Sequence, residues 1–141
     1  MDILEIYNKY NSFGRFIDMN YEIITPGEIV YKLKSKPEFL ATKHAVHGGL
    51  IAAFMDAIVG VASLSAVIEE AKVVATVEFK INYLKAALLN DELTGKGLVI
   101  SKGNRILVTE GKIFNQRNEL IATSIATLNA YPFEKSDMFE N

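Results

Sequence analysis

The sequence predicts an α+β fold in which an antiparallel β-sheet wraps around one long central helix. Three observations predict it. Residues 50–68 form an apolar run whose one charge before Glu69 is Asp56, and a helix apolar on every side must be enclosed rather than packed along one stripe. After this run the texture changes to strand-like patterns over residues 73–84, 93–101, 105–114 and 120–130, the first of them alternating from Thr76 to Tyr83. Two further alternating runs precede the helix, so sheet-forming segments flank it in the chain. A strongly twisted antiparallel sheet curls, and a curled sheet can enclose a helix.

Residues 2–12 place Ile3, Leu4, Ile6, Tyr7 and Tyr10 near helical spacing, which predicts a short amphipathic helix in an N-terminal segment of residues 1–15. Residues 16–24 alternate Phe16, Asp18, Asn20 and Glu22 against Ile17, Met19, Tyr21 and Ile23, a strand pattern that stops at Thr25-Pro26-Gly27. Residues 28–34 alternate Ile29, Tyr31 and Leu33 with polar neighbours, so the two runs predict a hairpin. Residues 37–46 have no period and read as a loop into the central helix. That helix starts at residues 47–49 and ends at the Glu69-Glu70 pair, because acidic residues at a helix C-terminus oppose its dipole.

In residues 73–84, Val77, Phe79, Ile81 and Tyr83 fall on one face and Thr76, Glu78, Lys80 and Asn82 on the other. Turns at Gly103-Asn104 and at residues 115–118 divide a meander. The expected order is helix, two strands, long buried helix, three strands. Residues 1–141 read as a single domain with a loose tail at 134–141. Small residues of the central run, namely Ala52, Ala53, Ala57, Gly60, Ala62 and Ser63, allow neighbouring elements to approach closely.

Composition narrows the function. A formal net charge of −2 lacks the basic excess with which nucleic-acid binders neutralise phosphates. The absence of cysteine excludes a disulfide framework, a thiolate metal site and a cysteine nucleophile, and it suits the cytoplasm. The N-terminus opens with Asp2 and Glu5, not with the basic-then-apolar order of a signal peptide. Residues 50–68 have the length of a membrane span, yet an aspartate inside a span costs about 2.5 to 3.5 kcal/mol on insertion scales, and strands follow. A soluble protein that binds neither membrane nor nucleic acid is expected.

Chemistry concentrates in the central run. The first amides of a helix lack intrahelical acceptors and sit at the positive end of its dipole. Gly48 and Gly49 let a ligand approach that backbone, so the pair either binds an anion or a developing oxyanion, or merely forms a tight entry turn. Asp56 lies seven residues beyond Gly49, about 10 Å along a helix axis. One substrate atom cannot touch both groups of one helix. If they serve one reaction they come from two chains, which predicts a dimer with antiparallel central helices side by side. The plainer alternative is a buried aspartate paired with a hydroxyl or a backbone group.

His47-Gly48-Gly49, with Asp56 nine positions after the histidine, and the later stretch Val74-Ala75-Thr76-Val77-Glu78-Phe79-Lys80-Ile81-Asn82-Tyr83-Leu84 together resemble the hotdog-fold acyl-CoA thioesterases of the phenylacetate-pathway (PaaI-like) type. The resemblance covers residues 40–130. It implies a hotdog fold of five or six antiparallel strands around a long helix, dimers whose sheets join, commonly homotetramers, and hydrolysis of an acyl-CoA thioester without a cofactor. It further implies that the amide of Gly48 or Gly49 polarises the thioester carbonyl, that His47 orders this end of the site, and that Asp56 of the other subunit is nucleophile or general base. Thr76 stands where relatives carry a Ser or Thr that orients water near the acid. A carboxylate in an apolar surround is poorly solvated and more basic, which favours such a role.

One position departs from that pattern. Relatives often carry Asn or Gln six residues before the histidine, where this chain has Ala41; Thr42 or His44 are the substitutes at hand. His44 and His47 form a His-x-x-His spacing, but with no cysteine and no acidic third ligand a metal site is not expected. Lys102, Asn104 and Arg105 flank a turn and are candidates for the phosphates of coenzyme A, against the alternative of a solvated hairpin tip. Tyr131-Pro132-Phe133 ends the last strand. Two rival functions remain at this stage: a non-catalytic acyl-CoA-binding or regulatory module, kept open by Ala41, and a hydroxyacyl dehydratase, for which no His-plus-Glu arrangement is evident.

Overall fold

Local capping shapes the first elements of the computed structural model, which describes residues 2–140. Helix α1 (Ile3–Tyr10) opens with a capping box, in which Asp2 accepts from the Glu5 amide and Glu5 accepts from that of Asp2. It stops at Asn11, whose side chain accepts the Gly14 amide at 3.1 Å and so caps a second helix, α2 (Ser12–Ile17). This corrects the expected strand over residues 16–24. Phe16 and Ile17 belong to α2, which ends at Asp18 in the left-handed conformation (φ 59°), and the strand begins only at Asn20. Ile17 and Met19 are buried at period two without lying in a strand, which is what the alternation could not distinguish.

Strands β1 (Asn20–Thr25) and β2 (Glu28–Lys34) form the expected hairpin. Gly27 in its turn takes φ 91°, a conformation that favours glycine. Helix α3 (Gly48–Val67) follows, and Glu69 and Glu70 fall outside it in a short 3-10 turn, as the dipole argument requires. Four strands follow α3, one more than the expected order. They are β3 (Lys72–Tyr83), β4 (Glu92–Lys102), β5 (Ile106–Phe114) and β6 (Leu120–Pro132). The sheet is antiparallel in the order β1-β2-β4-β5-β6-β3. The meander is thus β4-β5-β6, and β3 stands apart from it at the far edge, paired with β6 on one side alone.

Helix α3 lies on one face of this sheet with Phe54, Met55, Ile58 and Val59 fully buried. The close approach comes from the sheet: a Cβ at Gly97 would stand 2.8 Å from the Ile58 carbonyl oxygen, so only glycine lets strand meet helix there. The buried Ser63 hydroxyl donates to the Val59 carbonyl at 2.8 Å and pairs with Thr109 Oγ1 at 2.7 Å, which satisfies both hydroxyls in the core.

The sheet wraps around α3 as expected, and one side of the helix stays open. Gly49 and Asp56 are exposed and Ala52, Ala53, Ala57 and Gly60 are only half-buried, one continuous helical face. A hydropathy pattern counts Ala and Gly as core formers, but their side chains bury little apolar area, so this face stays open at small cost. The C-terminal residues also differ from a loose tail. The Phe133 and Phe139 rings meet edge to face at 5.6 Å, and the Tyr10 hydroxyl donates to Glu140 at 2.6 Å.

Candidate functional site

At the N-terminus of α3 the two glycines have different surroundings. The Gly49 amide donates to His47 Nδ1 at 2.7 Å, so His47 is the N-cap of the helix. A Cβ at Gly49 would meet that imidazole at 2.9 Å, which explains the glycine by packing. Because Nδ1 accepts, the ring proton of a neutral His47 is on Nε2. Gly48 is the first residue of the helix, and its amide has no partner among the described residues. A Cβ there would make only ordinary contacts, 3.6 Å from the Tyr83 ring, so the fold does not demand glycine at this position. The Tyr83 hydroxyl donates to the Gly48 carbonyl at 2.8 Å and ties the end of β3 to this turn. The result is one free amide at the positive end of a helix dipole, held in place from both sides.

Asp56 projects from the open face of α3, and Thr76 Oγ1 donates to its Oδ1 at 2.7 Å. A bulge makes this contact. In β3, Thr76 pairs with Leu128 and Glu78 with Thr127, so Val77 is the extra residue and the register shifts there. Thr76 therefore shares a sheet face with Phe79 and Ile81, which pair with buried Ala126 and Ser124. This corrects the strict alternation that put Thr76 on the face opposite Phe79. Within the single chain Asp56 is exposed, beside residues that are mainly apolar.

Beside the Asp56–Thr76 pair lies a cavity of about 260 Å³, lined also by Tyr7 and Asn11 of α1 and its cap, and by Met138 near the C-terminus. Burial pushes the Tyr7 phenol up to about 12, and the charges of Tyr21 and Asp56 nearby act in the same direction. A neutral phenol thus faces the carboxylate side of the site. Sequence reading missed Tyr7, Asn11 and Met138, because nothing in an amphipathic helix or a terminal tail says which distant residue it will face.

The other predicted residues lie elsewhere. Lys102 and Lys72 both pair with Glu70 just after α3, and Lys72 donates to the Asn104 side chain at 3.1 Å. The Arg105 carbonyl accepts the Ala130 amide at 2.6 Å. This basic hairpin tip is grouped with the C-terminal end of α3, not with the Asp56–Thr76 pair. In the loop before α3, Ala41, Thr42 and His44 are exposed, and the Thr42 hydroxyl accepts the Ala45 amide at 3.1 Å. No cluster of three His, Asp or Glu side chains able to hold a metal occurs among the described residues.

Comparison with known proteins follows the same outline. Residues 44–122 match the family model of the thioesterase superfamily. A Saccharolobus solfataricus protein that carries a provisional esterase name is 29% identical over 125 residues, covering 89% of this chain and 87% of its own length. Among solved structures, the E. coli PaaI protein of the phenylacetic acid degradation operon superposes with a TM-score of 0.84 at 16% identity, over 91% of this chain and 90% of that one. A hypothetical thioesterase of Streptococcus pneumoniae TIGR4, solved with coenzyme A, superposes with a TM-score of 0.74 at 27% identity, over 81% of this chain and 89% of that one.

Proposed function

Because the chain belongs to the thioesterase superfamily and carries a hotdog fold, we propose that it hydrolyses an acyl-CoA thioester to the free acid and coenzyme A, in a site shared between two subunits of a cytoplasmic homodimer or homotetramer. The observation that carries this reading is the Asp56–Thr76 pair on an uncovered helix face, in a chain whose Gly48 amide is free eight residues away. Eight residues of helix span about 12 Å, too far for one carbonyl to reach both groups of one chain. An antiparallel neighbour brings Gly48 of one chain opposite Asp56 of the other. The unpaired edge of β3 supports this assembly, since an exposed strand edge is a template for pairing, and Val77 on it is 61% exposed. Exposed Leu98, Ile106 and Ile125 offer apolar surface for a further contact between dimers.

In this site the Gly48 amide and the helix dipole stabilise charge on the thioester oxygen. Thr76 holds Asp56 Oδ1, which leaves Oδ2 for the reaction, either drawing a proton from water or attacking the acyl carbon. His47 holds the turn through the Gly49 amide. In the net reaction water adds to the acyl carbon, the C–S bond breaks and the coenzyme A sulfur leaves with a proton. A homologous fold solved with coenzyme A supports this ligand class. Release of free thiol from a panel of acyl-CoA esters tests the reading. Turnover by wild type and its loss in Asp56→Ala are expected; no release from any ester would leave a non-catalytic binding module, and equal release by the variant would overturn the role of Asp56.

A further inference from the structure

Gly60 is a glycine without a structural reason. It lies inside α3, one turn beyond Asp56 on the open face, where glycine is among the poorest helix formers. Its φ is not in the left-handed region, and a Cβ built on it meets no atom within 4 Å. Neither conformation nor packing asks for glycine here, whereas Gly97 on β4 has a backbone atom against it. The open space beside Gly60 is the cavity of about 260 Å³ that also contains Asp56 and Thr76.

Its walls are mainly apolar. Ala53, Ala57 and Leu64 come from α3, and Phe13, Met19 and Met138 close the far side. That far side is built by residues outside the matched family segment 44–122, from the N-terminal helices and the C-terminal tail. The two are fastened to each other and to the sheet: Tyr10 donates to Glu140, and Tyr21 of β1 donates to Asn8 at 2.6 Å. The N-terminal segment and the C-terminal residues therefore flank the carboxylate side of α3, with a gap left at Gly60.

We propose that this cavity is the acyl pocket of the Asp56–Thr76 site and that Gly60 sets the length of acyl chain it accepts, with Phe13 and Met138 as the opposing wall. The proposal rests on the thioesterase reading. A cavity of about 260 Å³ with mainly apolar walls is small for a ligand cleft, so it favours a short to medium acyl chain over a sixteen-carbon one. The wall offers no charged partner for a terminal carboxylate, so the substrate class is the unsubstituted, short to medium acyl group.

The test compares kcat/KM for acetyl-, hexanoyl-, octanoyl- and hexadecanoyl-CoA in wild type and in Gly60→Leu, which fills the gap while improving helix propensity. Wild type is expected to prefer octanoyl over hexadecanoyl by tenfold or more. In Gly60→Leu the octanoyl-to-acetyl ratio is expected to fall by at least tenfold, and in Phe13→Ala the hexadecanoyl-to-octanoyl ratio to rise. An unchanged octanoyl-to-acetyl ratio in a Gly60→Leu protein with wild-type circular dichroism and melting would overturn the proposal. If wild type releases no thiol from any ester, the thioesterase reading fails by itself, and the pocket is then judged by calorimetric binding of octanoyl-CoA against coenzyme A. Tighter octanoyl-CoA binding that Gly60→Leu abolishes supports the pocket, and equal binding in both proteins overturns it.

Discussion

Thr76 donates to Asp56 across 2.7 Å, joining a bulged edge strand to the open face of a helix twenty residues earlier in the chain. The bond holds one carboxylate oxygen and leaves the other free. Loss of the carboxylate in Asp56→Ala should lower kcat by about 10²- to 10⁴-fold, the usual worth of a general base. Thr76→Ala should cost less, because the carboxylate stays and only its orientation is lost. Thr76→Ser should restore most of the rate, and steady-state kinetics on the three variants would expose a purely structural role if serine failed to rescue.

Gly48 permits removal of a single amide proton without harm to the helix. It is the first helical residue, where proline is well tolerated, and His47 before it has ψ 132°, the extended backbone that proline requires of its predecessor. Gly48→Pro should therefore fold with an unchanged helical signal while kcat drops about 10²- to 10³-fold, as for loss of an oxyanion-hole donor.

Those two variants together test the shared site. A dimer with one Gly48→Pro chain and one Asp56→Ala chain has one site with both groups intact and one with neither. Random reassembly of an equal mixture places about half of the chains in such mixed dimers, so about a quarter of wild-type activity should return. If each site used Gly48 and Asp56 of one chain, mixing would recover nothing.

The basic hairpin tip is a candidate for the nucleotide phosphates of coenzyme A, in spite of the ion pair from Lys102 to Glu70. Arg105→Ala should raise KM for acyl-CoA severalfold and leave the KM for the matching acyl N-acetylcysteamine thioester unchanged, because that substrate has no phosphate. Equal effects on both esters would assign Arg105 to folding alone.

Acid stability depends on the turn between β5 and β6. Hydrogen bonds from Lys85 foremost, then Asn115 and Arg117, hold Glu119 down from 4.5 to about 2. A depressed folded-state value means that the contribution is complete above the unfolded value near 4.5 and is lost as pH falls toward about 2. Urea midpoints should decline across that window in wild type and decline less in Glu119→Gln. Because Glu119 lies at the surface, added salt should shrink the difference between the two proteins.

Much of this molecule was legible before any coordinates. Period two marked β2 and most of β3, and the apolar run marked α3. The residues around Asp56 were less legible for identifiable reasons. Alternation at Ile17 and Met19 reads as a strand whether the burial comes from a helix end or from a sheet, so α2 was hidden. A bulge leaves no trace in hydropathy, so alternation alone puts Thr76 on the wrong face, and the register shift at Val77 returns it to the helix side. Gly48 and Gly49 are identical as letters, and only the position of the His47 ring separates the capped amide from the free one.

By itself the sequence determined most of the elements, the long helix and the strands of the sheet, and pointed to Asp56 as the candidate for chemistry, because helix and strand periodicity, end residues and a lone charge in an apolar run are local properties. Tertiary structure decided which face of α3 stays open, which strand reaches Asp56, and which distant helix and tail close the cavity beside Gly60. Those are long-range contacts, settled by how glycines at 95, 97 and 111 let the helix settle on the sheet and by what the remaining surface leaves uncovered.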